Sequence, residues 1–492
     1  MKRFLEIFPA FLVLLPTFVV VNIEKTYHGL LEYRHLYGEM IWLFAFPPVA
    51  LLITLLLIRD WRKASLAALY LMVVFYYLGP LKEYLNSLFP KSLWQSYSLL
   101  LPVALVLFIF LTLRLRRRSS KFARTFLFLN TALFLFIIAD IGTITFRAWQ
   151  EKHKSSVFAN LFAGVADTAA CPDIYYLIFD SYTSSPALKE YFGFDNTAID
   201  AALIQRGFTL FPDSRSNYNL TPFSVGSTFH LDYLMGVDTT VRYTMDKYLP
   251  GVLHVYNNPL VPSLEKLGYS IFNHSLFDIR SHPSTVPSFD VWELNLIYQQ
   301  HNLLKKIQRD IGWLLPAWLQ PKQSDVEVYA ANRDRHDSIA LSHIIQSARL
   351  RLNNPRFVYG HLFIPHGPYT FDANGDKIKP VNNLPLQNRM KGYTGQVQHV
   401  NRLMLQVTDA ILEAATRPTV IIIQGDHGFR FYDPDKKQLE FFNFQAIYLG
   451  KNKTVPAIRN MTNVNTFRLI GNLFFGTQLP ILEGRTHFLQ YQ

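Results

Sequence analysis

The sequence contains a single cysteine, Cys171, among its 492 residues. An intramolecular disulfide is therefore excluded, and any folded domain must be stabilised by its own hydrophobic core. Charged residues are also scarce, at 17% of the chain, whereas apolar residues make up 50%. Long apolar runs dominate residues 1–145, and shorter runs alternate with polar, turn-forming stretches afterwards. The chain therefore combines a membrane-like part with a part typical of soluble proteins.

Five segments of the first part approach the roughly 20 apolar residues that cross a bilayer. They are residues 4–22, 40–58, 65–81, 97–113 and 125–144. No small-residue cleavage site follows the first segment, which therefore indicates a retained helix and not a signal peptide. Lys and Arg cluster at the N-terminus, at 59–63 and at 114–124, and such segments resist translocation. This pattern predicts five spans, with everything after about residue 145 outside the cytoplasm.

The net charge of +12 could indicate a nucleic-acid-binding protein, but much of it lies in the predicted cytoplasmic loops. In those loops positive charge sets the topology. We therefore expect an integral membrane protein with no nucleic-acid partner.

The second part of the chain has the pattern of an α/β domain. Residues 146–171 lack a strong periodicity and are interpreted as a connector, so the predicted domain spans residues 172–492. Short apolar runs at 174–179, 356–364 and 419–424 are typical of strands covered on both faces, and helical patterns lie between them. Strands that alternate with helices predict a largely parallel central sheet.

Each of the three predicted strands ends in residues that could bind a metal ion. These are Asp180, then His366 in Pro-His-Gly, and then Asp426 and His427 in Gly-Asp-His-Gly. Ligands of open α/β sheets bind beyond the carboxyl ends of the strands, so these side chains are expected to share one crevice. Carboxylate and imidazole groups are ordinary ligands of zinc or of a harder divalent ion.

Simpler interpretations of the same residues stay open from the sequence alone. Asp180 could cap a turn or helix. Asp426 and His427 could form a solvated turn, although the flanking glycines favour a crowded backbone around a bound group. His366 could belong to a purely structural turn. His361, with an apolar residue on each side, is expected to be a hydrogen-bonded core histidine.

A nucleophile is expected nearby, because a metal ion with carboxylates suits attack at phosphorus or sulfur. Residues 216–227 offer several hydroxyls, including that of Thr221, just before a helical pattern. The N-terminus of that helix would supply backbone amides for an anionic oxygen. The alternative is a Thr or Ser that only caps the helix.

Together these stretches resemble the sulfatase-like members of the alkaline phosphatase superfamily, specifically the bacterial membrane-bound ones. The resemblance covers most of residues 172–450. It is carried by Pro172–Asp180, by Gly193–Asn196 with Arg206–Phe208 and Ser216–Thr221, by His361–Asp372, and by Ile421–Gly428. The implied fold is an α-helical transmembrane domain followed by an α/β alkaline-phosphatase/sulfatase-like domain.

The resemblance also implies a site. Asp180, Asp426 and His427 would hold a divalent ion, Zn or Mn, and Thr221 would be both nucleophile and ligand. His366 would contact the substrate. In our mechanistic hypothesis His366 donates a proton to the leaving lipid alcohol and later accepts one from the incoming hydroxyl or water. Our mechanistic hypothesis adds Arg430 and Asn219 as groups that bind the substrate and hold charge in the transition state.

The implied function is transfer of a phosphoethanolamine- or phosphoglycerol-type headgroup from a membrane phospholipid to a lipid or glycan acceptor of the envelope. The expected location is the bacterial inner membrane, with the catalytic domain in the periplasm. Two alternatives are a membrane-bound phosphodiesterase or sulfatase-like hydrolase, and a non-catalytic lipid-sensing protein of the same fold.

The sequence departs from these relatives at two places. Ser181 stands where they usually have glycine, and Phe223–His230 differs from their more common pattern. The Cys-x-Pro-x-Arg signature of formylglycine sulfatases is absent, since Cys171 is followed by Pro172 and Asp173. These features leave the metal ligands intact and argue against a formylglycine-dependent sulfatase.

Overall fold

The computed structural model describes residues 6–26, 33–89, 92–118, 122–154, 161–162, 171–243, 245–287, 298–312, 325–380, 384–431, 433–450, 455–456, 458 and 461–491. Much of the predicted connector, residues 155–160 and 163–170, lies outside these ranges. The chain forms two compact units. The helical unit comprises Met1–Lys152 and Trp292–Lys322, and the α/β unit comprises His153–Val291 and Gln323–Gln492.

The helices of the described part are α1 (Phe11–Thr26), α2 (Tyr33–Ile58), α3 (Trp61–Leu88), α4 (Tyr97–Arg117), α5 (Ala123–Lys154), α6 (Ser185–Phe192), α7 (Thr197–Gln205), α8 (Thr221–His230), α9 (Met245–Tyr256), α10 (Leu260–Lys266), α11 (Leu303–Ile311), α12 (Asp325–Arg349), α13 (Leu386–Ala414) and α14 (Thr466–Phe474). The strands are β1 (Asp173–Phe179), β2 (Thr209–Leu210), β3 (Arg242–Tyr243), β4 (Ser270–His274), β5 (Arg356–Leu362), β6 (Thr419–Gln424), β7 (Gln445–Tyr448) and β8 (Gln490–Tyr491).

Four helices of the described residues are long and apolar enough to cross a membrane, and not the five that the sequence predicts. They are Met40–Ile58, Trp61–Asn86, Tyr97–Arg117 and Ala123–Gln150. The predicted first span, 4–22, corresponds to α1, which has 16 residues and begins at Phe11. At 1.5 Å per residue such a helix is about 24 Å long, which is less than the roughly 30 Å of a bilayer core.

α1 is bonded to α5 by polar groups at both of its ends. The Phe11 amide donates to Asn130 Oδ1 at 2.7 Å near the start of α1. Near its end, Lys25 Nζ lies 2.6 Å from Asp140 Oδ1, and Asn22 donates to the other carboxylate oxygen at 2.9 Å. Sequence numbers rise together along these contacts, so α1 and α5 run in the same direction. Asn130 and Asp140 are polar residues within an apolar helix, and these bonds satisfy them.

The helical unit also contains a segment from much later in the sequence. Lys306 on α11 is buried and forms ion pairs with Glu83 on α3 and, at 3.0 Å, with Asp310. A buried ammonium is costly unless it is paired, so these contacts make the docking of α11 specific. The domain that the sequence places at 172–492 is thus interrupted, since Trp292–Lys322 belongs to the helical unit.

The α/β unit is built on a six-stranded sheet with the order β2-β7-β6-β1-β5-β4. Strands β4, β5, β1 and β6 are parallel, with β4 at one edge of the sheet. Towards the other edge β7 pairs antiparallel with β6, and β2 pairs antiparallel with β7. β1, β5 and β6 are buried along their whole length, as their continuous apolar runs predict. The predicted architecture of apolar helices followed by a largely parallel α/β domain is therefore confirmed.

The register of the sheet brings the ends of three strands to one edge. Phe179 at the end of β1 pairs with Leu362 of β5, and Ile178 pairs with Gln424 of β6. The long helix α13 packs on the sheet through one apolar face with helical spacing, formed by Tyr393, Val397, Val400, Met404, Val407 and Ile411. This core fixes the strands, and so the residues that follow them.

Candidate active site

Three residues that follow β1 and β6 form a cluster with the geometry of a metal site. Asp180, Asp426 and His427 each offer a ligand atom, and these atoms all lie within 4.8 Å of one another. His427 Nε2 lies 3.7 Å from Asp180 Oδ1 and 3.5 Å from Asp426 Oδ2. All three side chains are buried. The ends of β1 and β6 therefore bring these three side chains together.

The two glycines that flank Asp426 and His427 lie where neighbouring protein backbone comes close. A Cβ at Gly425 would collide with the carbonyl oxygen of Tyr182, and a Cβ at Gly428 would collide with that of Phe442. Glycine lets the backbone after β6 pass close to these carbonyls, which positions Asp426 and His427.

The donor set fits a divalent cation. Asp180 Oδ1 and Asp426 Oδ2 are buried and have no hydrogen-bond partner among the described residues. Ser181 N donates to the other Asp426 oxygen at 2.9 Å. His427 Nδ1 donates to the Gly428 carbonyl at 2.6 Å, so Nε2 is the unprotonated nitrogen that could bind a metal ion. Two carboxylates and one imidazole in this arrangement are ligands that zinc commonly uses.

Two buried carboxylates this close are electrostatically unfavourable without a cation. Burial and the neighbouring Asp426 raise the pKa of Asp180 well above its ordinary value, and Arg430 opposes this shift. Burial, followed by the charge of Arg430, holds the pKa of His427 well below its ordinary value. His427 is thus neutral and able to act as a ligand, while Asp180 would gain most from a positive charge between the carboxylates.

Thr221 is the first residue of α8, and its hydroxyl reaches the same cluster. Thr221 Oγ1 lies 3.4 Å from Asp180 Oδ2 and 3.4 Å from His427 Nε2. The N-cap of α8 is Leu220, and no side chain caps the helix. The alternative in which Thr221 only caps α8 therefore does not describe this structure, and the hydroxyl belongs to the ligand cluster.

Arg430 connects the cluster to His366. Its Nη2 donates to His427 Nε2 at 2.8 Å and to the Asn219 carbonyl at 3.1 Å, and its Nη1 lies 3.4 Å from His366 Nε2. The guanidinium is partly exposed, as is His366. Burial and the adjacent Arg430 charge lower the pKa of His366 to about 3. His366 Nδ1 donates to the Gly367 carbonyl at 2.8 Å, so Nε2 carries the free lone pair.

Asn219 lies beside the cluster, but its side chain points into the protein. Its amide nitrogen donates to Glu440 Oε2 at 3.1 Å and to the Leu489 carbonyl at 3.2 Å. Its amide oxygen accepts from the Leu489 backbone at 2.8 Å. These bonds give the Asn219 side chain a supporting position, and contact with substrate stays a prediction.

The loop that carries His366 is held by side chains from two helices. Arg333 on α12 is fully buried and donates to the carbonyls of His366, at 3.1 Å, and of Pro368. Gln396 on α13 donates to the His366 carbonyl at 3.1 Å. Asp337 accepts from the amides of residues 363 and 364 at 2.7 and 3.1 Å. The short motif around His366 gives no indication of these partners, because they are distant in sequence.

His361 was assigned from sequence to the core, and the structure places it in the core and beside the site. It is buried, and its Nδ1 lies 3.1 Å from the Tyr359 hydroxyl. Its Nε2 lies 3.4 Å from Asp180 Oδ2. His361 lies one residue before the end of β5, next to the end of β1. This position is the signal that could have identified His361 as a neighbour of the cluster.

Comparison with known proteins gives matches among solved structures. No protein-family model and no curated protein matches this chain. The lipooligosaccharide phosphoethanolamine transferase A from Neisseria meningitidis is 14% identical, with a TM-score of 0.40, over 89% of this chain and 88% of that chain.

Two further structures cover the C-terminal part. The periplasmic domain of EcEptC from Escherichia coli, in a complex with Zn, is 14% identical over 64% of this chain and 85% of that chain, with a TM-score of 0.40. The periplasmic domain of phosphoethanolamine transferase EptC from Campylobacter jejuni is 11% identical over 66% and 94%, with a TM-score of 0.38. At sequence identities of 11–14% and TM-scores of 0.38–0.40, the likeness does not decide the activity.

Proposed function

We propose that this protein transfers a phosphoryl-linked headgroup from a membrane phospholipid to a lipid or glycan acceptor, with metal dependence and a covalent threonine intermediate. One observation carries the proposal: the Thr221 hydroxyl lies 3.4 Å from both Asp180 and His427 in a buried cluster with two unpartnered carboxylate oxygens. A purely structural cluster of this kind would bury two carboxylate oxygens without hydrogen-bond partners, which is costly.

The site residues have separate roles in this proposal. Asp180, Asp426 and His427 would hold a divalent ion, Zn or Mn, and Thr221 would be the fourth ligand. When bound, the ion supplies positive charge that stabilises a deprotonated hydroxyl and the developing charge on phosphoryl oxygens. Arg430, partly exposed beside the cluster, neutralises a further oxygen of the phosphodiester.

In the first half-reaction Thr221 Oγ forms a bond to phosphorus, and the bond from phosphorus to the lipid alcohol breaks. The headgroup phosphate stays on Thr221, and the diacylglycerol leaves with the proton that Thr221 has lost. In the second half-reaction an acceptor hydroxyl attacks phosphorus, and its proton passes to the Thr221 oxygen as the bond from phosphorus to Thr221 breaks. A hydrolase would use water in place of the acceptor.

His366 is arranged to accept a proton. With a pKa of about 3 it is neutral at neutral pH, and its Nε2 lone pair faces Arg430. This favours a role as general base for the incoming hydroxyl over the proton-donating role expected for the first step. An anionic phosphodiester beside the ring would raise its pKa and allow it to return the proton.

The site is proposed to work in the periplasm, with the helices anchoring the chain as a multi-pass protein of the bacterial inner membrane. The excess of Lys and Arg at 59–63 and 114–124 supports this orientation. A donor lipid would then share the membrane with the enzyme.

The proposal is tested on the full-length protein in detergent by metal analysis and by turnover of a chromogenic phosphodiester. We expect about one tightly bound divalent ion per chain and metal-dependent turnover, with both lost in Asp426→Asn. A fluorescent phospholipid donor with and without envelope extract separates the two enzymatic alternatives, since a transferase labels an acceptor and a hydrolase releases free headgroup. A folded protein with neither metal nor turnover would favour the lipid-sensing alternative.

A further inference from the structure

The segment His487–Tyr491 lies against the loop that precedes Thr221. The His487 amide donates to the Asn217 carbonyl at 2.8 Å. Leu489 exchanges two hydrogen bonds with the Asn219 side chain, at 2.8 and 3.2 Å. β8 within this segment pairs with β3, so its backbone is fixed from both sides. The segment therefore forms part of the wall behind the candidate nucleophile.

Tyr491 at the end of this segment contacts two residues of the site region. Its hydroxyl donates to Glu440 Oε1 at 2.6 Å. The guanidinium carbon of Arg430 lies over its ring, 5.3 Å from the centroid. A guanidinium at this distance is attracted by the ring face, and its planar shape allows it to stack there.

These contacts close a ring of four residues. Tyr491 bonds to one oxygen of Glu440, and Asn219 bonds to the other at 3.1 Å. Arg430 donates to the Asn219 carbonyl at 3.1 Å and returns to the Tyr491 ring. Two of these four residues, Glu440 and Asn219, are buried in the protein. The position of Arg430 is thus set on one side by the Asn219 backbone and on the other by the Tyr491 face.

We propose that Tyr491 is a positioning residue that orients Arg430 to bind an anionic tetrahedral group, such as the phosphoryl group of the substrate. The proposal rests on the function proposed above, because it gives Arg430 a phosphoryl oxygen to bind. Tyr491 acts through Arg430, and its ring face is the part that matters. The hydroxyl fixes the ring by its bond to Glu440.

The test uses full-length, zinc-loaded protein in detergent and compares Tyr491→Leu with Tyr491→Phe. Leucine removes the ring face, whereas phenylalanine keeps it and loses only the bond to Glu440. Loss of a partly desolvated cation–π contact is expected to raise KM for a chromogenic phosphodiester about tenfold in Tyr491→Leu, with a smaller change in kcat. In Tyr491→Phe the same KM should rise by at most about threefold. Gln490→Ala, an exposed neighbour in the same strand, is the control.

The variant Arg430→Lys is used to test whether Tyr491 acts through Arg430. In Arg430→Lys the cation lacks the planar face, so adding Tyr491→Leu should change KM by less than about twofold. If Tyr491→Leu raises KM about tenfold in both the wild type and Arg430→Lys, the proposal is overturned. Equal rises in KM for Tyr491→Leu and Tyr491→Phe would also overturn it. Thermal unfolding midpoints report whether each variant is folded. If Arg430→Lys has no turnover, the KM values of Tyr491→Leu and Tyr491→Phe alone decide whether the proposal holds.

The affinity for inorganic phosphate, measured by calorimetry, separates this proposal from the proposed catalytic function. If the wild type has no turnover, the catalytic function fails, and phosphate binding then decides the role of Tyr491. Weaker phosphate binding in Tyr491→Leu than in Tyr491→Phe would support the positioning role. Equal phosphate affinities, or no phosphate binding by the wild type, would contradict it.

Discussion

Thr221 Oγ1 lies 3.4 Å from Asp180 Oδ2, although the two residues are 41 positions apart in sequence. One residue follows a central strand, and the other begins the helix α8. Their contact joins a hydroxyl at a helix N-terminus to the carboxylates at the end of the sheet.

Ser181 is predicted to tolerate glycine better than alanine. Its φ of 62° lies in the left-handed region, which costs an L-residue about 1–2 kcal/mol. Its hydroxyl donates to the Gly428 carbonyl at 3.1 Å and offsets part of this cost. Ser181→Ala keeps the strain and loses the bond, whereas Ser181→Gly removes the strain. Thermal unfolding should show Ser181→Ala as less stable than Ser181→Gly by about 1–2 kcal/mol. Equal midpoints would show that this backbone is not strained.

Metal affinity is predicted to fall as the pH is lowered. Burial and Asp426 raise the pKa of Asp180, so protons compete with the metal at a higher pH than for an ordinary carboxyl of pKa about 3.9. The pKa of His427 is shifted down, so His427 does not add to this competition near neutral pH. Calorimetric titration with zinc should show affinity that weakens by up to about tenfold per pH unit below the raised pKa.

The matched variant for this pH dependence is Asp180→Asn. It removes the titrating group, so zinc binding should be weaker at every pH and should change less with pH. An affinity in the wild type that weakens only near the ordinary carboxyl pKa of about 3.9 would be inconsistent with Asp180 as a ligand of raised pKa.

Arg333 is predicted to support catalysis through the loop of His366. Replacement by methionine in Arg333→Met removes its bonds to the carbonyls of His366 and Pro368. Because a small displacement of a reacting group is costly, kcat should fall at least about tenfold. Metal content should be unchanged, since Arg333 does not touch the ligands.

Arg335→Met is the control for this variant, because Arg335 lies on the same helix and is exposed. If Arg333→Met changes only KM, or if kcat falls equally in Arg333→Met and Arg335→Met, a role of Arg333 in positioning His366 would be contradicted. Unfolding midpoints are needed as well, because Arg333 also pairs with Asp334 at 2.6 Å.

The proximity of Asp180, Asp426 and His427 could be predicted because these residues follow continuous apolar runs. Such runs indicate buried parallel strands, and their carboxyl ends meet at one edge of the sheet. The α/β class follows from the same periodicity. Neither step depends on contacts between residues far apart in sequence.

Other features depend on such contacts and could not be predicted. Lys306 is an ordinary charged residue in the sequence, and its burial against Glu83 requires the docking of α11 on α3. The amide of Asn219 turns inward because Leu489, 270 residues later, pairs with it. The first predicted span fails on length, since α1 begins only at Phe11, after Pro9.

The covalent role of Thr221 is tested by mass spectrometry of the quenched full-length enzyme after incubation with a phospholipid donor. The matched variants are Thr221→Ala and Thr197→Ala, because Thr197 is also the first residue of a helix but is exposed. Wild type and Thr197→Ala should show the headgroup phosphate on the peptide that contains Thr221, and Thr221→Ala should retain metal but lose turnover by at least about a thousandfold. Full turnover in Thr221→Ala, or a turnover-competent enzyme without this adduct on Thr221 under single-turnover conditions, would contradict the proposed mechanism.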